Sequence, residues 1–351
     1  MIEPSDLNLT PIQQLGEFGL IHRLTQDFTI RHPKRVLCGV GDDCAVLDFN
    51  ATQAQLVSTD LLMEGIHFDL SYVPLKHLGY KAIAVNISDI LAMNGTPTAV
   101  TVGIAVSNRF SVEALEELYR GIHIACEEFN IDLIGGDTAS SRSGLGISVT
   151  VMGFADHNQV VYRSGAKEMD ILCVTGDVGA AYAGLQLLER EKQIFNENPN
   201  IQPDFSSFEY VVERQLRPHL RQDVIQFFHR AGLVPTAMID VSDGVASEIH
   251  HLCRQSGTGA TIYQDKLPID YQTQKTAELF DIPAINFALF GGEDYELLFT
   301  IRQSDYNRVL EHPIIRPIGH MTTADQGVNL VLSNGSVTEL RALGFNHFNK
   351  L

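Results

Sequence analysis

Five short segments place aspartates among small residues at the ends of apolar runs. They are Gly41-Asp42-Asp43, Ser58-Thr59-Asp60, Asn86-Ile87-Ser88-Asp89, Gly135-Gly136-Asp137-Thr138 and Asp240-Val241-Ser242-Asp243-Gly244. A single aspartate after a strand ordinarily caps a helix or shapes a turn, but five in one chain form a pattern. Asp89 stands out because it falls in an apolar stretch with helical spacing. A carboxylate has poor propensity there and is costly to desolvate unless it is paired or bound to a metal. Ser58 and Thr59 add neutral oxygens beside Asp60, the mixture that hard divalent cations accept. Magnesium favours octahedral oxygen coordination and is usually held by one or two carboxylates together with substrate phosphates. The pattern therefore points to magnesium on a polyphosphate and away from zinc.

Glycines supply a second ingredient. Gly39 and Gly41, Gly135-Gly136 and Gly291-Gly292 can bring backbone N–H groups close to phosphate oxygens, although each also suits an ordinary turn. Arg163-Ser164-Gly165-Ala166-Lys167 is a basic, glycine-containing segment, which makes Arg163 a candidate for a phosphate or adenine contact. A plain surface arginine is the alternative. The P-loop, the protein-kinase set, His-Glu-x-x-His and Gly-x-Ser-x-Gly are all absent.

Composition narrows the partners. Lysine plus arginine is 25 and aspartate plus glutamate is 43, for a formal charge of −18. That balance opposes nonspecific binding to nucleic acid or anionic lipid, so an anionic substrate would need local cations. No apolar run reaches the roughly 20 residues of a membrane helix. The five cysteines form no Cys-x-x-Cys pair and read as buried thiols. The first residues, Met-Ile-Glu-Pro-Ser-Asp, resemble no signal peptide, so a cytoplasmic location is the expectation.

The elements that must position these residues follow from periodicity. A helix is expected from Ile12 to Phe28, with Thr10 as N-cap and Pro11 at the first helical position. Strands are expected at Val36 to Val40, Ala45 to Phe49, Gln55 to Leu62, Ala99 to Val106, Ile131 to Ile134 and Ile147 to Phe154. Helices are expected from Leu75 to Met93 and Val112 to Phe129. A polar break at Asp156 to Gln159 separates this part from a second series. That series has strands at Ile171 to Thr175, 236–240, 259–263 and 295–301, and final strands near 314–333. Its helices are Ala180 to Glu189, 219–231, 243–255 and 303–311. Residues 191–208 are polar, carry Pro199 and Pro203, and read as a loop. With 351 residues, two domains are expected, 1–157 and 158–351, both mixing helices and strands in α/β and α+β layers.

Taken in order, these segments resemble the thiamine-monophosphate kinase family. Gly16-Glu17-Phe18-Gly19-Leu20-Ile21, Gly41-Asp42-Asp43-Cys44-Ala45 and Ser58-Thr59-Asp60 with Glu64-Gly65-Ile66-His67-Phe68 carry the likeness in the first third. Lys81-Ala82 through Ala92-Met93, Gly135-Gly136-Asp137-Thr138 and Arg163-Ser164-Gly165-Ala166-Lys167 follow. Asp240-Val241-Ser242-Asp243-Gly244, Gly291-Gly292-Glu293-Asp294-Tyr295-Glu296-Leu297 and Gly344-Phe345-Asn346-His347-Phe348 complete it. Glu168-Met169 stands where the family usually has Pro-Gly, and Asn94-Gly95 where it has Gly-Ala. Relatives with the same fold use a reactive cysteine near the N-terminus or a C-terminal cysteine. Here the first cysteine is Cys38 and the chain ends Asn-Lys-Leu.

The resemblance implies the two-domain aminoimidazole ribonucleotide synthetase-like fold. Its N-terminal sheet would pair across a homodimer, and an α+β domain would complete the substrate site. It implies direct transfer of the ATP γ-phosphoryl group to thiamine monophosphate with several magnesium ions. Residue by residue, Asp43, Ser58, Thr59, Asp60, Asp89, Asp137, Asp240 and Asp243 would hold magnesium, with Asp60, Asp89 and Asp137 aligning the transfer. Asp42 would be a supporting or structural partner. Gly136, Asp137, Arg163 and Ser242 would contact ATP, and His67, Glu293 and Phe345 would contact thiamine monophosphate. A non-catalytic nucleotide sensor, or an enzyme of the same superfamily with another acceptor, is the rival reading.

Overall fold

A computed structural model describes residues 14–342. From its start the chain forms α1 (Gly16–Thr25), β1 (Val36–Cys38), β2 (Ala45–Asp48), β3 (Gln53–Met63), α2 (Leu75–Ala92), β4 (Thr96–Val106), α3 (Val112–Phe129), β5 (Asp132–Ser140) and β6 (Leu145–Asp156). It continues with β7 (Ile171–Thr175), α4 (Ala180–Glu197), α5 (Glu209–Leu216), α6 (Gln222–Ala231), β8 (Ala237–Asp240), α7 (Val245–Ser256) and β9 (Thr258–Tyr263). The last elements are α8 (Tyr271–Leu279), α9 (Ala284–Phe290), β10 (Leu297–Ile301), α10 (Tyr306–Val309), β11 (Ile315–Thr323), β12 (Val328–Val331) and β13 (Val337–Glu339).

Two sheets result. The first has strand order β1-β2-β3-β6-β4-β5, and the second β13-β12-β9-β11-β7-β10-β8. In the first sheet only β4 and β5 run parallel, joined through α3 as a crossover helix. Alternation along β3 turns Ala54, Leu56, Ser58, Asp60 and Leu62 to one face, where Ala54, Leu56 and Leu62 are buried. Helix α2 lies on that face and also packs against α3 and β8, so fourteen of its eighteen residues are buried. One apolar cluster runs from Leu56 and Val149 through Ile83, Ile87 and Ile90 to Phe228, Met238 and Phe299. The core thus joins both sheets through a single helix, and that helix carries Asp89.

The α2 and α3 axes approach closely at two glycines. A Cβ on Gly79 would run into the Leu118 carbonyl, and one on Gly121 into the Lys76 carbonyl. We expect Gly79→Ala to lower stability by about 1–3 kcal/mol, because the helices must separate to admit the methyl group. Thermal unfolding reads this directly, and an unchanged midpoint would show that the contact is not tight.

Several expectations are corrected. Helix α1 ends at Thr25, short of Phe28, while Thr10 and Pro11 lie outside the described residues. The 135–138 segment is part of β5 and not a turn after it. Helix α4 runs to Glu197, taking up part of the expected loop. Helices α5, α8 and α9 were not anticipated. Helix α8, Tyr-Gln-Thr-Gln-Lys-Thr-Ala-Glu-Leu, is too polar to show an apolar stripe, and α9, Ala-Ile-Asn-Phe-Ala-Leu-Phe, is too continuously apolar to show a period.

Candidate active site

Three carboxylates from three distant segments converge between the sheets. One oxygen each of Asp43, Asp89 and Asp240 lies within 4.8 Å of the others. Asp43 comes from the β1–β2 connection, Asp89 from the last turn of α2, and Asp240 from the end of β8. Each is held by a neighbour. Ser58 Oγ donates to Asp89 at 2.6 Å, Ser88 Oγ donates to Asp240 at 2.6 Å, and Arg163 Nη2 donates to Asp43 at 2.6 Å. The Asn86 side chain accepts the Asp60 N–H at 3.1 Å, tying β3 to α2 beside the cluster.

The electrostatics are those of crowded, desolvated anions. Burial, then the charge of Asp43, pushes Asp42 up to about 7. Burial, then Asp43, also pushes Asp240 up to about 7. Burial, then Glu17, raises Asp60 to about 6. Asp89 is held well above its ordinary value by burial first and then by Asp60, Asp240 and Asp43. Asp43 Oδ2 is buried with no hydrogen-bond partner. An all-oxygen set of close carboxylates with an orphaned buried oxygen is what a hard divalent cation satisfies.

These shifts fix a pH dependence. Folded-state values above the unfolded value of about 3.9 mean that the folded chain holds protons the unfolded chain releases. That contribution is complete below about pH 4 and is lost as pH rises through 6 and 7. Without divalent cations, the thermal midpoint should therefore fall between pH 5 and pH 8, and magnesium at pH 8 should restore it. A midpoint that rises over this range in metal-free buffer would contradict the clustering.

Not every expected residue joins the cluster. Register places Asp60 of β3 opposite Val149 of β6, which faces Val102 of β4, which faces Gly136 of β5. Gly136 is thus three strand spacings from Asp60, at about 4.8 Å each. Asp137 and Thr59 sit one residue out of phase with Asp60 and point to the opposite face. Thr59 Oγ1 donates there to the Val149 carbonyl and accepts from Thr150 Oγ1. Gly136 has a packing reason to be glycine, since a Cβ would strike the Val102 carbonyl. Arg163 reaches the cluster as the counter-ion of Asp43, and its N–H also donates to Asp42. Asp42 accepts the N–H of Asp43 as well, a supporting position.

The 291–296 segment divides its work. Glu293 N–H donates to the Ser242 carbonyl at 2.7 Å and Tyr295 N–H to the Val241 carbonyl, so this turn rides on the turn that carries Asp240 and Asp243. Glu293 itself has φ +59, a left-handed conformation costly for a non-glycine residue. Its carboxylate meets Lys81 Nζ at 3.0 Å and Gln215 Nε2 at 2.7 Å. Asp294 accepts the N–H groups of Gly179 and Ala181 at the start of α4, and Glu296 pairs with buried Arg214 and with Arg221. Only Glu293 of the three acids is left partly exposed.

His67 follows β3 and accepts the Met63 N–H on Nδ1 at 2.9 Å. Ser242 and Asp243 begin the approach to α7, where Asp243 N–H donates to Glu248. Phe345 lies outside the described residues. Three neighbours were not expected as site residues. Glu17 of α1 raises Asp60, the hydroxyl of half-buried Tyr295 lies within reach of the charges of Glu293, Asp60, Asp240 and Asp243, and Lys81 pairs with Glu293. The signal for Lys81 was present in the sequence, as a lysine within a helix otherwise too apolar to face solvent.

Comparison with known proteins bears on this site. A model of the N-terminal domain of AIR synthase related proteins matches residues 41–155. The chain is 34% identical over 347 residues to a thiamine-monophosphate kinase of Bacillus subtilis (strain 168), covering 95% of this chain and 100% of that protein. It is 34% identical over 343 residues to a thiamine-monophosphate kinase of Salmonella typhimurium, covering 95% and 98%. The solved structure "AaThiL complexed with AMPPCP and TMP" aligns with a TM-score of 0.83 at 30% identity, covering 97% of this chain and 100% of that one. A chain of the solved structure "Crystal structure of HypE-HypF complex", at 18% identity and TM-score 0.70, shows the same fold over 92% of this chain and 99% of that one.

Proposed function

This chain belongs to the thiamine-monophosphate kinase family, and we propose that it transfers the γ-phosphoryl group of ATP directly to thiamine monophosphate, giving thiamine diphosphate and ADP. The observation that carries the reading is the convergence of Asp43, Asp89 and Asp240 from separate elements onto one buried point.

The acceptor is a phosphate monoester whose second pKa is about 6, so near pH 7 it is already largely anionic. It needs no strong general base, and catalysis reduces to alignment and charge neutralisation. The side chains suit that task. Asp43, Asp89 and Asp240 would hold magnesium, with Ser58, Asp60 and Asp243 alongside. Bound magnesium would supply the positive charge that lets two phosphates approach. Arg163 fixes Asp43, Ser58 orients Asp89, and Ser88 orients Asp240. Arg163 and Ser242 would border ATP, and His67 and Glu293 would face thiamine monophosphate, with Phe345 completing that pocket.

Gly136, Asp137 and Thr59 would serve ATP and metal if the outer face of the first sheet is closed by a second copy of the chain. Two features support a homodimer. Every residue of edge strand β5 is exposed, and Leu61 and Ile134 are 58% and 59% exposed. An open edge beside apolar residues is normally covered. No described helix is long and apolar enough to cross a membrane, which fits the proposed cytoplasmic location. The division at 157/158 falls between the last strand of the first sheet and the first of the second.

The test is ADP release with magnesium and ATP. Release should require thiamine monophosphate and be absent with thiamine, whose alcohol is not ionised. Binding of ATP with no ADP formed would favour a nucleotide sensor instead.

A further inference from the structure

Glu293 does not stand in its pocket as a bare anion. Its carboxylate receives the buried Lys81 ammonium at 3.0 Å and the Gln215 amide at 2.7 Å. Lys81 Nζ also donates to the Gln215 carbonyl at 2.9 Å, so one residue of α2, one of α5 and the 291–295 turn are locked together. The group carries one positive and one negative charge and is neutral as a unit. It is nevertheless rich in acceptors. A carboxylate has about four lone-pair sites, of which the Gln215 bond uses one and the Lys81 ammonium faces another. Because Gln215 must turn its NH2 toward Glu293, its Oε1 is left over, buried and without a hydrogen-bond partner, in a residue only 4% exposed.

A neutral, acceptor-rich group recognises N–H donors and has little pull on a distant positive charge. Thiamine monophosphate offers both features, a cationic thiazolium and an aminopyrimidine with an exocyclic NH2. We propose that Lys81 and Gln215 are positioning residues that present Glu293 as a charge-neutralised acceptor. This end of the pocket then selects the substrate by its amino group and not by its thiazolium charge. The proposal rests on thiamine monophosphate being the substrate, and on Glu293 facing it.

The experiment compares three substrates with the full-length enzyme: thiamine monophosphate, the monophosphate of deazathiamine, whose thiophene ring is uncharged, and the monophosphate of oxythiamine, in which an oxygen replaces the amino group. The oxythiamine compound should lose at least about 100-fold in kcat/KM, because a site built to accept a hydrogen bond rejects an analogue lacking the donor. The deazathiamine compound should stay within about tenfold of the natural substrate. A larger loss with deazathiamine, or equal losses with both, overturns the proposal.

Lys81→Met and Gln215→Leu give a second readout. Without its ammonium partner Glu293 becomes a true anion, so Lys81→Met should increase discrimination against the uncharged analogue by about tenfold or more. Gln215→Leu should narrow the preference for the amino group. A merely structural role would lower turnover of all three substrates alike, and that result in folded variants also overturns the proposal. Absence of ADP release with thiamine monophosphate itself would remove the kinase reading and this proposal together. Normal turnover of thiamine monophosphate with the opposite analogue order removes this proposal alone.

Discussion

Asp240→Asn should lower kcat/KM for ATP-dependent phosphorylation by about a thousandfold or more, near 4 kcal/mol of transition-state stabilisation, while making the metal-free protein more stable at pH 8. The two halves of this expectation have one cause. Asp240 is buried in contact range of Asp43 and Asp89, and its pKa of about 7 records the cost of charging it there. Asparagine keeps an oxygen to accept the Ser88 hydroxyl but carries no charge. It therefore relieves repulsion among the three carboxylates in metal-free buffer and removes a ligand of the proposed magnesium site. At pH 5 the wild-type side chain is largely protonated, so the stability gain should shrink. Steady-state ADP release and thermal unfolding at the two pH values check both halves. Loss of activity with loss of stability would place Asp240 in the scaffold instead.

Arg214→Met should have the opposite signature, a collapse of stability whatever the metal. Arg214 is fully buried, with Nη2 at 3.0 Å from Glu296 and 3.1 Å from the Asp294 carbonyl, and Nη1 at 2.9 Å from the Tyr210 hydroxyl and 3.3 Å from Asp177. Removing it leaves buried carboxylates with one counter-ion fewer, a change that typically costs about 3–5 kcal/mol. Against a total stability of about 5–15 kcal/mol, that is a large fraction. Urea unfolding should show a large fall in midpoint. Arg217→Met, which breaks an exposed pair with Glu128, should cost no more than about 1 kcal/mol. Equal effects in the two variants would mean the buried network contributes little.

The contrast shows why the acidic block 293–296 could be seen in the sequence but not divided. Glu293, Asp294 and Glu296 are alike on paper. In the fold the first pairs with Lys81 and stays partly exposed, the second binds the α4 backbone, and the third pairs with two arginines. Each partner lies about 75 or more positions away along the chain, beyond the reach of any local pattern. The partnership of Lys81 with Glu293 was hidden for the same reason.

What local pattern could supply, it did. Most strands of the first sheet and helix α2 were legible as apolar runs, and α3 from its 3.6-residue amphipathic period, whereas the 135–140 part of β5, exposed throughout, showed neither signal. The desolvated position of Asp89 followed from its apolar neighbours. Thr59 stands apart from its neighbours: Ser58 and Asp60 share a face of β3 and Thr59 does not, a division that strand alternation alone makes. The Gly135-Gly136 pair reads as a turn in the sequence. Glycine usually marks a turn, but Gly136 lies within β5 because only glycine fits against the Val102 carbonyl.

The most direct test of the central claim follows the phosphorus. With ATP carrying 18O on the γ-phosphoryl oxygens and unlabelled thiamine monophosphate, the 18O-induced shift in the 31P spectrum of the products should appear at the terminal phosphate of thiamine diphosphate, with one ADP formed for each. Label released as inorganic phosphate, or AMP appearing in place of ADP, would contradict direct transfer of the γ-phosphoryl group.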